Sequence, residues 1–120
     1  MLRGVQALDE AGKSVSSAGD WNGDGLDDLL IGAPVSSRNG VRWIGESYVI
    51  FGSDTVPSQP LWLGDLDGGD GVALLGVYFV SFTGMSVSDV GDINADGIDD
   101  ILVGAGIASP DLFNEVGESY

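Results

Sequence analysis

Asp20-Trp21-Asn22-Gly23-Asp24-Gly25-Leu26-Asp27-Asp28-Leu29-Leu30-Ile31-Gly32-Ala33-Pro34 decides the reading of this chain, because it returns 72 residues later. The second copy is Asp92-Ile93-Asn94-Ala95-Asp96-Gly97-Ile98-Asp99-Asp100-Ile101-Leu102-Val103-Gly104-Ala105-Gly106. Shifted by 72, the chain matches itself without a gap, and 22 of the 48 overlapping positions are identical. Gly12-Lys13-Ser14-Val15-Ser16 meets Gly84-Met85-Ser86-Val87-Ser88, and Gly45-Glu46-Ser47-Tyr48 meets Gly117-Glu118-Ser119-Tyr120. The identities fall in ordered blocks, which a Gly/Asp-rich composition alone does not produce. Self-similarity at a fixed period signals a repeat architecture, in which each unit buries its faces against neighbours. The 120 residues hold roughly 1.7 such repeats, which reads as part of a longer array or assembly.

Outward from that stretch, the pattern is one of short strands. Ser14 to Ala18 reads as the first. Asp28 to Gly32 and Ile101 to Val103 are apolar runs without alternation, which suits strands covered on both faces. Glu46 to Phe51 reads as a third strand and Gly71 to Gly76 as a fourth. Ser53 to Asp70, with Pro57, Pro60 and a Gly/Asp cluster, reads as an irregular connection. Four short strands per 72 residues predict an all-β fold of β-propeller blades, with a stacked β-solenoid as the alternative.

The repeated loop carries the chemistry. Asp20, Asn22, Asp24 and Asp28 stand at positions 1, 3, 5 and 9, as do Asp92, Asn94, Asp96 and Asp100. Calcium takes 6–8 oxygen ligands from carboxylates, amides and backbone carbonyls. Alternate residues of a tight loop can turn inward together, with Gly25 and Gly97 at the sharpest bend. The carbonyls of Leu26 and Ile98 are the natural backbone ligands. Like charges gathered this closely favour protonation or a cation. The competing readings are an ion-free Asx turn and an EF-hand. The EF-hand needs a Glu at loop position 12, where Ile31 and Val103 stand. Asp27 and Asp99 read as outer-shell or strand-starting residues. The expectation is two structural calcium ions.

Composition narrows the field. Four Lys+Arg face 19 Asp+Glu, for a formal charge of -15, so a nucleic-acid partner is not expected. There is no Cys and no His, which removes disulfides, thiolate or imidazole metal sites and the usual catalytic bases. All four basic residues lie within the first 42 positions, leaving 13 acids and no base from residue 43 onward. A counter-cation is therefore expected on charge grounds as well. Apolar residues make up 43%, enough to build a core. No apolar run is long enough to span a membrane, and residues 1–10 do not read as a signal peptide.

These residues resemble the FG-GAP repeats of integrin alpha subunits and their bacterial relatives. The family pattern joins an aromatic-Gly, a short strand, a calcium loop, an apolar strand and Gly-Ala-Pro. Here Gly32-Ala33-Pro34 keeps the last element and Gly104-Ala105-Gly106 lacks its proline. The aromatic-Gly is weakened to Phe82-Thr83-Gly84 and Ala11-Gly12. The resemblance implies a seven-bladed propeller. Residues 1–11 would end a preceding blade, 12–83 form one repeat, and 84–120 begin another. It implies calcium at Asp20, Asn22, Asp24, Leu26 (carbonyl) and Asp28, and at Asp92, Asn94, Asp96, Ile98 (carbonyl) and Asp100. It also implies partner-binding loops on the opposite face, at 35–44, 77–82 and 107–116. Arg38, Arg42, Trp43, Tyr78 and Phe79 there are either anchors or seam-fillers between blades.

Other signals are weak. Ala11-Gly12-Lys13-Ser14 lacks the earlier glycine of a phosphate-binding loop, and neither Gly-x-Ser continues to the Gly of a nucleophile elbow. Asp65, Asp67 and Asp70 read as a solvated turn, with a third cation site as the alternative. The expected function is a non-catalytic, calcium-braced adhesion or recognition module, extracellular or at the cell surface. Its expected partner is a protein or glycan ligand, or further propeller repeats. The alternatives are an accessory propeller of an extracellular hydrolase of phospholipase or glycosidase type, and a truncated fragment with no independent role.

Overall fold

A computed structural model describes residues 1–55, 58–107 and 117–120. In chain order the strands are β1 (Leu2–Arg3), β2 (Ser14–Gly19), β3 (Asp28–Ala33), β4 (Glu46–Ile50), β5 (Leu61–Trp62), β6 (Gly71–Leu75), β7 (Thr83–Gly91), β8 (Asp100–Ala105) and β9 (Glu118–Ser119). One 3₁₀ turn, Leu63–Asp65, follows β5. The strands β2, β3, β4 and β6 pair in that order as an antiparallel sheet, and β7, β8 and β9 repeat the first three places of it.

The two sheets share one register. Val15 lies opposite Ile31 and Gly19 opposite Asp28; 72 residues on, Val87 lies opposite Val103 and Gly91 opposite Asp100. Each first strand has a bulge at the same place, between Ser17 and Gly19 and between Asp89 and Gly91. A bulge bends a strand and increases its local twist. Here it turns the chain out of the sheet just before the aspartate loop.

The unalternated apolar run of β3 is explained by two cores, one on each side of the first sheet. Ile31, Ala33, Tyr48 and Ile50 face one side and are closed off by Leu63, with Val5, Leu61 and Leu66 around them. Ala18, Leu30 and Val49 face the other side, where Val87 and Ile101 of the second sheet pack on them. The sheets are therefore stacked face to face, as propeller blades are. The approach is close at Gly32, where an added Cβ would lie 2.0 Å from the Gly84 carbonyl oxygen. Ser14 Oγ donates to that same oxygen at 2.8 Å.

The connection 53–70 departs from its reading as irregular. Leu61 and Trp62 form β5, which pairs in parallel with β1, and Leu63 is 3% exposed. The physical reason is burial. The outer side of the first sheet is covered, among the described residues, only in part, and there Leu61 and Leu63 pack on Ile31, Tyr48 and Ile50.

At the end of the sheet away from the loop, Glu46 is 2% exposed. Arg38 Nε lies 3.0 Å from one of its carboxylate oxygens, and the Tyr48 hydroxyl donates to the other. Burial raises the Tyr48 pKa above its ordinary 10.0, and the hydrogen bond to Glu46 and that residue's charge raise it further. A raised folded-state pKa means stability that is complete below about pH 10 and fades as pH climbs past it. Urea-unfolding midpoints measured from pH 8 to pH 11 should therefore fall more steeply in the native protein than in Tyr48→Phe.

Candidate metal centre

The first loop joins β2 to β3 and is organised by its last aspartate. Asp28 is 1% exposed. Its Oδ2 accepts the amides of Trp21 (3.1 Å) and Asn22 (3.3 Å), and its Oδ1 accepts the amide of Gly52 (2.8 Å). Asp20 Oδ2 accepts from the Gly25 amide at 3.0 Å, closing the loop from its other end. Asn22 Oδ1 takes the Asp24 amide and Asp24 Oδ1 takes the Leu26 amide, each at 2.9 Å. Gly25 has φ +90, a conformation that favours glycine.

The second loop repeats the scheme. Asp92 accepts the amides of Asp96 (3.0 Å) and Gly97 (2.8 Å), Asn94 accepts Asp96 (2.8 Å), and Asp96 accepts Ile98 (2.9 Å). Asp100 accepts Ile93 at 3.0 Å. Each loop thus brings its four expected oxygen side chains onto one short curl of backbone, with Leu26 or Ile98 between the third and the fourth. The carboxylates are turned onto backbone amides, so no three acidic groups converge into a ready-made cluster among the described residues.

Two observations bear on whether such loops fit a cation. The donors are all oxygens, the set a hard cation takes. In addition, Asp20 Oδ1 is buried with no hydrogen-bond partner. Buried polar atoms are ordinarily partnered, and a carboxylate left bare is costly. A carboxylate has about four acceptor positions, so the amide bonds leave capacity for a metal.

The two loops differ in cover. Asp99 reaches out of the second repeat, and its Oδ2 accepts the amide of Asp20 at 2.9 Å. The contact is tight: a Cβ on Gly19 would lie 2.0 Å from that oxygen. Asp20 is accordingly half-buried and Asp92 exposed. Asp99 is thus a support for the neighbouring repeat's loop. Sequence reasoning placed it beside its own loop, although the Asp-Asp pair in both copies was the available signal.

At the opposite end, segments 35–44 and 77–82 come together. The Trp43 and Phe82 rings stack with centroids 6.4 Å apart, and the Phe82 amide donates to the Trp43 carbonyl at 3.2 Å. Arg38 is committed to Glu46, which removes it as a free anchor. Arg42, Trp43, Ser37, Asn39 and Gln6 line a groove there, and Phe79 is exposed. Of the segment 107–116, residues 108–116 lie outside the described residues. The Asp65–Asp70 cluster forms a turn in which Asp67 accepts the Gly69 amide at 2.8 Å.

Stacked sheets of one strand order, each with an oxygen-lined loop between its first and second strands, define the class as β-propeller blades. The FG-GAP repeat family model matches residues 11–50. The chain is 38% identical over 106 residues to integrin alpha-5 of Xenopus laevis, covering 85% of this chain and 9% of that protein. It is 36% identical over 107 residues to integrin alpha-3 of Mus musculus, covering 88% of this chain and 9% of that protein. It is also 40% identical over 95 residues to the phosphatidylinositol-glycan-specific phospholipase D of Homo sapiens, covering 78% of this chain and 11% of that protein. The chain belongs to the FG-GAP repeat family of integrin alpha type. It spans about a tenth of the length of these curated relatives.

Asp28→Ala should cost about 3 kcal/mol in chelator, because three amides lose a charged acceptor in a buried site. Asp100→Ala should cost roughly half as much, since its loop is more exposed. Urea denaturation of both variants measures the difference.

Proposed function

We propose that this chain is a calcium-binding, non-catalytic recognition module of an adhesion-type propeller, working outside the cell or at its surface. The observation that carries it is the matched pair of loops. Asp20, Asn22, Asp24, Asp28 and the Leu26 carbonyl would hold one ion; Asp92, Asn94, Asp96, Asp100 and the Ile98 carbonyl would hold another. A bound cation would supply charge neutralisation and a rigid link between the first two strands of each blade. The bare Asp20 Oδ1 supports the first site.

The chain's own residues divide the labour between two ends. Asp28 and Asp100 fix the loops onto the strands. The groove beside Arg42 and Trp43 lies at the far end of the sheet, where aromatic and Arg side chains favour a protein or glycan ligand. In the parent protein the blades would form a seven-membered ring, with residues 1–11 ending a preceding blade, 12–83 forming one repeat and 84–120 the next. No helix among the described residues is long and apolar enough to cross a membrane.

A second reading is favoured by one observation, the 36% and 40% identities to phospholipase D chains of Bos taurus and Homo sapiens. On that reading the blades are an accessory propeller of an extracellular hydrolase. Hydrolysis of a phosphodiester or glycan panel by the purified chain, lost in Asp24→Ala, would favour it.

At 1 mM calcium and a Kd of about 10–100 μM, each site adds about 1.4–2.7 kcal/mol. Two sites should raise Tm by on the order of 10 °C relative to chelator. Titration calorimetry should count two ions per chain, and one in Asp24→Ala. Equal melting in chelator and calcium would refute the proposal.

A further inference from the structure

We infer that Asn39-Gly40 is a site of spontaneous deamidation, and that this one modification recharges the Arg42 groove and unfastens Arg38 from Glu46. Neither effect depends on a bound ion.

Deamidation needs a main-chain nitrogen that can reach the side chain before it. The Gly40 nitrogen, its proton given up to solvent base, attacks Asn39 Cγ. The new N–Cγ bond closes a five-membered imide, and the Cγ–Nδ2 bond breaks to release ammonia. Water then opens the ring. Cleavage at Cγ leaves aspartate; cleavage at the main-chain carbonyl leaves isoaspartate, with Cβ and Cγ now part of the main chain. One water enters, one ammonia leaves, and nothing is oxidised or reduced. Glycine in the second position favours the attack, because no Cβ shields its nitrogen.

Two Asn-Gly pairs occur in the chain, Asn22-Gly23 and Asn39-Gly40, and the structure separates them. Asn22 is held at both ends of its amide: Oδ1 accepts the Asp24 amide and Nδ2 donates to Asp24 Oδ2, each at 2.9 Å. Among the described residues, neither the Asn39 side chain nor the Gly40 amide makes a hydrogen bond. Both residues are exposed, and a Cβ on Gly40 would meet nothing within 4 Å. In the second loop Asn94 is followed by Ala95, whose Cβ hinders the attack, and Asn94 Oδ1 is occupied by the Asp96 amide at 2.8 Å.

The two products act differently on the turn. Asn39 (φ 54) and Gly40 (φ 81) are the central residues of a tight hairpin. The Arg38 amide donates to the Val41 carbonyl at 3.0 Å, and the Val41 amide to the Arg38 carbonyl at 2.9 Å. Asn-Gly and Asp-Gly both suit a turn with two left-handed residues, so the aspartate product keeps it. That product adds a carboxylate to the groove lined by Asn39, Asp9 and Arg42, whose guanidinium has no ion-pair partner among the described residues. The isoaspartate product lengthens a two-residue connection by one main-chain bond, and the paired Arg38–Val41 hydrogen bonds no longer match. Arg38 then leaves its place 3.0 Å from Glu46. Glu46 is 2% exposed and keeps only the Tyr48 hydroxyl. A buried carboxylate that loses its cation is destabilising.

The full chain, incubated in warm, mildly alkaline buffer with chelator and again with calcium, tests this. Peptide mapping by mass spectrometry, with fragmentation that separates aspartate from isoaspartate, follows each site. In chelator Asn39 should convert about tenfold faster than Asn22, whose two hydrogen bonds must first break. Its rate should be the same in calcium. The isolated isoaspartate form should melt about 5 °C below the fresh chain, whereas fresh Asn39→Asp should melt with it. Arg38→Ala should melt as low as the isoaspartate form and fall little further on ageing. Asn39 still intact when Asn22 has converted would overturn the inference. An isoaspartate form that melts with the native protein, or an equal further fall in aged Arg38→Ala, would overturn the link through Arg38.

Discussion

The stacking of the second sheet on the inner face of the first is the constraint on which the rest depends. The first sheet has five-residue and six-residue strands, and among the described residues no α-helix covers it. A sheet of that size has two apolar faces and cannot satisfy either alone. Val87 and Ile101 cover one face, and the Leu61–Leu63 segment with Val5 covers part of the other. Val87 and Ile101 thereby help to keep water from Leu30 and Val49, both 0% exposed.

The same stacking makes the two loops unequal, although their sequences are nearly alike. Asp99 of one repeat fixes the first residue of the other repeat's loop, and Asp20 is half-buried as a result. Among the described residues the second loop has no such neighbour, and Asp92 is exposed. Loop order is thereby tied to blade contact. A carboxylate that accepts an amide from an adjacent repeat links the geometry of an oxygen cradle to the correct seating of two sheets.

A division of roles along the sheet follows. One end carries acidic loops braced by backbone amides. The other end carries an Arg38–Glu46–Tyr48 network, with Glu46 and Tyr48 buried, and a groove with Arg42 and Trp43. Carboxylates at the two ends are held by different means: backbone amides at the loop end, where Asp20 Oδ1 is left without a partner, and a guanidinium and a phenol at the other. In a chain with 19 acids and four bases, few cations are available, and each structural use of one is correspondingly specific.

Much of this was legible in the sequence. The 72-residue period, the positions of the four strands of the first sheet and the loop boundaries follow from local patterns, because turn glycines, Asx bonding and apolar runs act over a few residues. The gathering of Asp20, Asn22, Asp24 and Asp28 is local in the same sense. The sequence did not reveal that Asp99 belongs to the first loop, that Arg38 is spent on Glu46, or that Leu61–Leu63 closes a core. Those contacts join residues 79, 8 and tens of positions apart, the first being Asp20 with Asp99. Only the angle and register at which one sheet lies on another determine which side chains meet, and no periodicity in the chain encodes that.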